Sequence, residues 1–236
     1  MLSFIVAEIP RLFTIYNIIL LANAALTTLA LSAVGCVVGL FCGSLLTAAR
    51  LSQRPILWPL KALSFLYVEF MRRVPFLITL MTFFFGAQVL GFNFSPLSIA
   101  FVSTSVISTA FVAEIVRSGL QAVKRSQLEA AEVMNFSAWQ CFWQVRLPQT
   151  WPIILPPVFA YFVLFIKDTA LASQAGVLEL TEAGKILNTK GFSASLVYAA
   201  MLLLYFAISY PLARSGAYLE KRLGAARHSR PRRPLQ

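Results

Sequence analysis

Apolar residues run along this chain in blocks too long for an ordinary soluble helix, and the polar residues collect in the gaps between them. The first block extends from about Asn17 to Ala49 and ends at Arg50 and Arg54. At ~1.5 Å per residue it exceeds a ~30 Å hydrocarbon core, so it is expected to tilt or project. The second, Ile56 to about Leu90, is too long for one straight span and carries Y-V-E-F-M-R-R-V-P at its middle. A break is expected near Pro75, with an interfacial half-helix before it and the true span after it, because proline removes a helical hydrogen bond. Ser95 caps a third helix with Pro96 at its first position, running to about Val116. A fourth span starts near Trp151. A polar connection, Glu179 to Gly191, leads to a fifth, about Phe192 to Pro211.

One long charged and amphipathic segment stands apart, Ser126 to Pro148, S-Q-L-E-A-A-E-V-M-N-F-S-A-W-Q-C-F-W-Q-V-R-L-P. It reads as two short helices. Ser126 with Glu129 has the spacing of a capping box, as does Ser137 with Gln140. Asn135 sits where the first helix would end in a left-handed residue. Pro148 is expected to close the second helix, because the residue before proline avoids helical geometry. A stiff helix–turn–helix outside the bilayer is a docking element.

Composition agrees with a polytopic membrane protein. Of 236 residues, 58% are hydrophobic and 12% charged, about half the charged fraction of a soluble domain. The N-terminus has no basic region followed by a small-residue cleavage site, so no removed signal peptide is expected. The expected organisation is an external or interfacial segment over residues 1–16, one membrane domain over 17–223 and a basic tail over 224–236. Cys36, Cys42 and Cys141 are odd in number and read as small hydrophobes, and His228 is the single histidine. Neither a disulfide framework nor metal or histidine chemistry has the residues it needs. Five spans put the termini on opposite sides. With the C-terminus cytoplasmic, the inside receives Arg50, Arg54, Arg117, Lys124, Arg125, Arg146, Arg214, Lys221, Arg222, Arg227, Arg230, Arg232 and Arg233. The outside receives Arg11, Lys185 and Lys190, partly balanced by Glu8, Glu179 and Glu182. The positive-inside rule therefore places Ser126–Pro148 in the cytoplasm. The net charge of +11 calls for anionic headgroups and no nucleic acid.

Glu129-Ala130-Ala131, followed after three residues by Asn135 and later by Leu147-Pro148, resembles the E-A-A-x(3)-G … L-P signature of bacterial ABC-importer permeases. F-V-A-E-I-V-R-S-G-L-Q-A-V (Phe111 to Val123), L-P-Q-T-W-P-I-I-L-P-P (Leu147 to Pro157), I-K-D-T-A-L (Ile166 to Leu171) and G-V-L-E-L-T (Gly176 to Thr181) are similar to the polar amino-acid permease family. The similarity runs from about Ala25 to Leu223. Asn135 replaces the family's glycine, and Arg72-Arg73-Val74-Pro75 stands where the family has R-G-T-P. The resemblance implies an all-α membrane fold of the type I importer (MetI-like) class, with about five spans and a cytoplasmic coupling segment. It implies a bacterial inner-membrane permease moving polar amino acids or relatives such as opines. It further implies two cytoplasmic ATP-binding subunits, a second permease chain, identical or similar, and an external solute-binding protein. No cofactor is expected on this chain, since it lacks the G-x-x-x-x-G-K-[ST] phosphate loop. ATP and magnesium are expected in the partner.

The resemblance implies that the Glu129–Ala131 helix inserts into a cleft on the ATPase. Small Ala130 and Ala131 permit close approach, and Glu129 offers a carboxylate near a helix N-terminus, where it also caps. Lys167 and Asp168 lie about 16 residues into a span beginning near Trp151, roughly 24 Å along it. Intramembrane charges face cavities and mark substrate paths, so they, with Thr169 and Ser173, are pathway candidates. The alternative is a self-satisfied Lys–Asp pair, or one that positions the helix end. Glu69, Arg72, Arg73 and Pro75 read as an interfacial anchor or as the lining of a gate. Glu114 and Arg117 read as a structural pair, and T-F-F-F-G (Thr82 to Gly86) as packing surface. A stand-alone secondary transporter predicts inverted repeats, and an intramembrane enzyme predicts a nucleophile–base or metal constellation. Neither pattern is found.

Overall fold

The computed structural model describes residues 8–52 and 55–228, with side chains to residue 223. Arg54, the first residues of the expected N-terminal segment and the side chains of the basic tail lie outside the described residues. Residues 8–12 form a short helix, α1. Then come α2 (Ile15–Leu51), α3 (Trp58–Met71), α4 (Phe76–Val89) and α5 (Pro96–Gln121). They are followed by α6 (Arg125–Val133), α7 (Ala138–Gln140), α8 (Leu147–Asp168), α9 (Leu180–Thr189) and α10 (Ala194–His228). Four stretches are long and apolar enough to cross a membrane, Ile15–Leu51, Pro96–Gln121, Ala138–Ala175 and Ala194–Leu223, and the bent pair formed by α3 and α4 makes a fifth.

The centre of the bundle is the contact of α2 with α5, and small residues make it. A Cβ on Gly39 would lie 2.9 Å from the Ser108 carbonyl, and one on Gly43 would lie 2.7 Å from the Ala113 amide nitrogen. Between apolar helices in lipid, close backbone approach supplies the dispersion energy that water would otherwise drive. Thr47 uses the same approach to donate its hydroxyl to the Ala113 carbonyl at 2.8 Å. Around this pair the core is aromatic. Phe76 of α4 meets Phe165 of α8 edge-on at 5.4 Å, Phe165 stacks on Tyr161 at 5.4 Å, and Tyr161 stacks on Phe111 of α5 at 5.3 Å.

Several boundaries differ from expectation. The break after Met71 is present, with a 110° bend and Pro75 as the N-cap of α4. The full span expected after it is not. α4 has 14 residues, about 21 Å at ~1.5 Å per residue, so only the bent pair reaches membrane length. α3 also joins the bundle, with Ser64 and Val68 buried and the Tyr67 hydroxyl donating to the Val106 carbonyl on α5. α5 continues past Val116 to Gln121. Pro211 does not end the last helix, which runs through it. A single lost backbone bond is tolerated in a long apolar helix.

The connection from Glu179 to Gly191 is itself a helix, α9. Glu179 is fully buried and caps it, accepting from the Glu182 amide at 2.9 Å and from the Tyr205 hydroxyl at 2.7 Å. Next to it the Leu180 amide donates to Thr28 Oγ1 at 3.2 Å. One carboxylate and its neighbour thus tie α2, α9 and α10 together. At the same end, Glu8 of α1 accepts from the amide and hydroxyl of Ser193 at 2.9 and 2.7 Å.

Gly43→Val is expected to cost about 1–3 kcal/mol through overpacking, read as a thermal midpoint several degrees lower in detergent. Gly86→Ala, with open space around it and helical backbone, is expected to raise the midpoint slightly. Burial pushes the Glu179 carboxyl above its usual range, against the lowering effect of its hydrogen-bond donors. The folded chain therefore holds that proton to higher pH than the unfolded chain does. Glu179 then favours the fold most at or below the ordinary carboxylate range, and this contribution declines as the pH rises through the folded value. Wild-type midpoints should fall relative to Glu179→Gln as the pH rises above the ordinary carboxylate range; parallel pH profiles would contradict this.

Candidate functional site

The segment between α5 and α8 is a rigid elbow built from local hydrogen bonds. The Lys124 backbone is extended and no side chain caps α6, so the capping box expected from Ser126 and Glu129 is not formed. The helix starts one residue before Ser126, which moves that hydroxyl inside the first turn. Glu129 instead accepts from Arg125 one turn earlier at 3.0 Å. The end of α6 is as expected. Asn135 is the one non-glycine residue with positive φ among the described residues, at 57°. The Phe136 amide donates to the Ala131 carbonyl at 3.0 Å and the Asn135 amide to the Glu132 carbonyl at 2.9 Å, which is a Schellman turn with asparagine in the usual glycine position. Ser137 and Gln140 then form the expected capping box.

Pro148 does not close the second helix. α7 passes through a π turn, Cys141–Arg146, directly into α8. Its wider hydrogen-bond spacing shifts the carbonyls out of α-helical register, so a residue without an N–H loses little at the junction. Leu147 and Pro148 are therefore the first residues of α8, joining the elbow to the membrane helix without a hinge loop. Gln149 donates to Gln127 Oε1 at 2.6 Å, which ties α6 to the first turn of α8. Ala131 is buried within the chain, so it holds α6 against its own elbow. Glu129 and Ala130 are exposed, together with Val133, Met134 and Trp139.

At the other end of α8, Lys167 is exposed and Asp168 half-buried. The self-satisfied pair is not formed among the described residues, because adjacent positions on a helix do not face each other. Beyond Asp168 the helix tightens into a 3₁₀ turn, Thr169–Ala175, that ends at Gly176 with φ 77°. Thr169 donates to the Ile166 carbonyl at 2.8 Å and is spent on its own backbone. Ser173 is buried with a hydroxyl lacking a partner, and its carbonyl accepts from Lys185 Nζ at 3.3 Å.

The structure also gathers charges that lie far apart in the chain. Glu114 and Arg117 pair as expected, through a bidentate fork with Arg117 Nε 2.9 Å from Glu114 Oε2. Arg50 from the end of α2 lies 3.6 Å from Glu114, and Arg72 from the α3–α4 break lies 3.8 Å from it. Arg73 pairs with Glu69 at 2.8 Å. The expected gate residues thus belong to one cluster with α2 and α5. Sequence reading missed the role of Arg50, whose only signal was an arginine at the end of a long apolar block.

The profile of the family described as "Binding-protein-dependent transport system inner membrane component" matches residues 35–225. The chain is 36% identical over 196 residues to the Probable amino-acid ABC transporter permease protein YckA of Bacillus subtilis (strain 168), covering 83% of this chain and 85% of that one. It is 30% identical over 207 residues to the Glutamine transport system permease protein GlnP of Escherichia coli (strain K12), covering 86% and 93%. The solved structure described as "Crystal structure of an amino acid ABC transporter with histidines" superposes with a TM-score of 0.80 at 26% identity, covering 86% of this chain and 94% of that chain. An inward-facing MetNI methionine ABC transporter superposes with a TM-score of 0.74 at 21% identity, which speaks for the fold alone.

Asn135→Gly is expected to preserve the elbow, because glycine meets the same positive φ without a Cβ penalty. Asn135→Val should cost about 1–2 kcal/mol, read as roughly tenfold faster hydrogen exchange over residues 126–148. Equal exchange in the two variants would contradict the turn assignment.

Proposed function

The chain belongs to the family of binding-protein-dependent transport system inner membrane components, and from that premise we propose that its α6–α7 elbow is the face through which an ATP-hydrolysing partner moves the bundle. It is a multi-pass inner-membrane protein of the type I fold and serves as a permease of an ATP-binding-cassette importer. The observation that carries the coupling proposal is the combination of exposure and rigidity in one short segment. Glu129 and Ala130 are exposed, Val133 and Met134 are exposed beside them, and the Schellman turn, capping box and Gln127–Gln149 bond leave the segment little freedom. A push on α6 reaches α8 through a continuous helix rather than through a loop. Glu129, Ala130, Asn135, Leu147 and Pro148 serve this coupling directly, and Ala131 serves it by packing α6 onto the elbow.

The solute is a polar amino acid, a reading supported by the names of the relatives, or a close relative such as an opine. Charge asymmetry supports a cytoplasmic C-terminus and elbow and an external N-terminus. Two cytoplasmic ATP-binding subunits, which bind the ATP and magnesium, a second permease chain and an external binding protein complete the assembly. The membrane domain spans 17–223, between the external segment over 1–16 and the basic tail over 224–236. Lys167 and Asp168 offer opposite charges at the far end of α8, and Ser173 an unspent hydroxyl beyond them; a zwitterionic solute carries both complements. Thr169 supports their backbone. Glu69, Arg72, Arg73 and Pro75 form the gate side of the helix break.

Ala130→Asp should lower uptake of a labelled polar amino acid by about tenfold, equivalent to ~1.4 kcal/mol, with membrane insertion unchanged. Asp168→Asn should lower uptake while ATPase binding persists. Unchanged uptake in the first variant would overturn the coupling role, and in the second the pathway role.

A further inference from the structure

Three arginines meet one carboxylate at the α3–α4 break, and that carboxylate is already spent. Arg117 takes both Glu114 oxygens with its fork and gives its remaining terminal nitrogen to Gln121 at 2.5 Å. Arg50 and Arg72 approach Glu114 only to 3.6 and 3.8 Å, within reach of charge attraction but beyond hydrogen-bonding distance. Arg50 Nη1 is buried with no hydrogen-bond partner, and its guanidinium sits 5.5 Å over the Phe65 ring. Its side chain is 11% exposed. Arg73 adds no free charge, because Glu69 neutralises it at 2.8 Å. Three positive groups against one negative leave a local excess of two charges.

The location makes that excess costly. Glu114 lies about 7 residues before the end of α5 at Gln121, roughly 10 Å inside a membrane-length helix. Charges buried like Arg50 and Glu114, 11% and 18% exposed, persist when they are paired or hydrogen-bonded. Among the described residues no second carboxylate meets Arg50 or Arg72, since Glu69 is taken by Arg73. The unmet groups are two planar forks on separate elements, one from the end of α2 and one from the helix break. Forked guanidiniums match carboxylate and phosphate oxygens in charge and geometry.

We propose that Arg50 and Arg72, positioned by the Arg117–Glu114 pair, form an oxyanion site at the break between α3 and α4. Its ligand is a carboxylate or phosphate group with at least two free oxygens. Such a group reaches the site either on a small solute passing the break or on the headgroup of an anionic phospholipid lying against α3. The site is a property of the chain beyond its permease role, because an anion bound there also fixes the angle of the broken helix.

The test is arginine modification by phenylglyoxal, read by mass spectrometry on the full chain in nanodiscs of phosphatidylcholine. Acetate, inorganic phosphate, or replacement of part of the lipid by phosphatidylglycerol is added in separate arms at matched ionic strength. Arg72, 35% exposed, is the reporter, and Arg125, 92% exposed, is the internal control. Modification of Arg72 is expected to slow by about threefold or more in at least one arm, with Arg125 unchanged. Protection by acetate or phosphate assigns a soluble anion, and protection by phosphatidylglycerol assigns a lipid headgroup. Arg50→Gln should abolish the protection, with monodisperse elution as the check on folding. Should that variant not fold, the wild-type arms remain decisive. Equal Arg72 modification in every arm would overturn the site. The readout involves neither ATP nor uptake, so its failure leaves the permease reading standing.

Discussion

The close backbone contact of α2 with α5 is the constraint from which the rest of this structure follows. Lipid gives two apolar helices no hydrophobic reason to associate, so packing and short polar contacts must do it. Gly39 and Gly43 leave room for the Ser108 carbonyl and the Ala113 amide, and Thr47 then reaches the Ala113 carbonyl. With the two helices at that distance, Arg50 at the end of one comes to Glu114 on the other. The α3–α4 break lies against the same pair, which brings Arg72 to that carboxylate as well. The charges of this cluster are brought together by small residues that carry no charge.

A second feature follows from continuity. Ala138–Ala175 runs without a loop from the exposed elbow to the 3₁₀ turn beyond Asp168. The π turn carries the path through Pro148, and α8 continues through the further prolines at Pro152, Pro156 and Pro157. Tyr161 and Phe165, midway along it, stack toward α5 and α4. A displacement at the elbow therefore has a packed route to Asp168 and to the start of α4. This is the physical content of the proposed coupling: a stiff helix with an exposed foot and charged groups at its far end.

Much of this was legible in the residues. Ser95-Pro96 started α5, Ser137 and Gln140 capped α7, and Asn135 took the left-handed turn, because each depends on neighbours only a few positions away. Pro148 and Pro211 misled for the same reason. A local rule for proline takes no account of a π turn or of a long apolar helix that tolerates one lost backbone bond, and both helices continued. Ser126 failed as a cap because α6 began earlier than its hydroxyl. Glu179 read as the start of a polar connection and proved to be a buried cap, because Tyr205, far away in the chain, donates to it and Thr28 meets the neighbouring Leu180 amide. Arg50 was least legible of all. Its partner is more than sixty positions away, and only the α2–α5 contact brings them together.

The central claim is that the exposed face of α6, and not its buried face, meets the motor. Photo-crosslinking in native membranes tests it directly, with a photoreactive residue placed in turn at positions 130 and 131. The account predicts capture of an ATP-binding subunit from position 130 and none from position 131, whose side chain is buried in the elbow. Capture from 131 alone, or of lipid alone from 130, would contradict it.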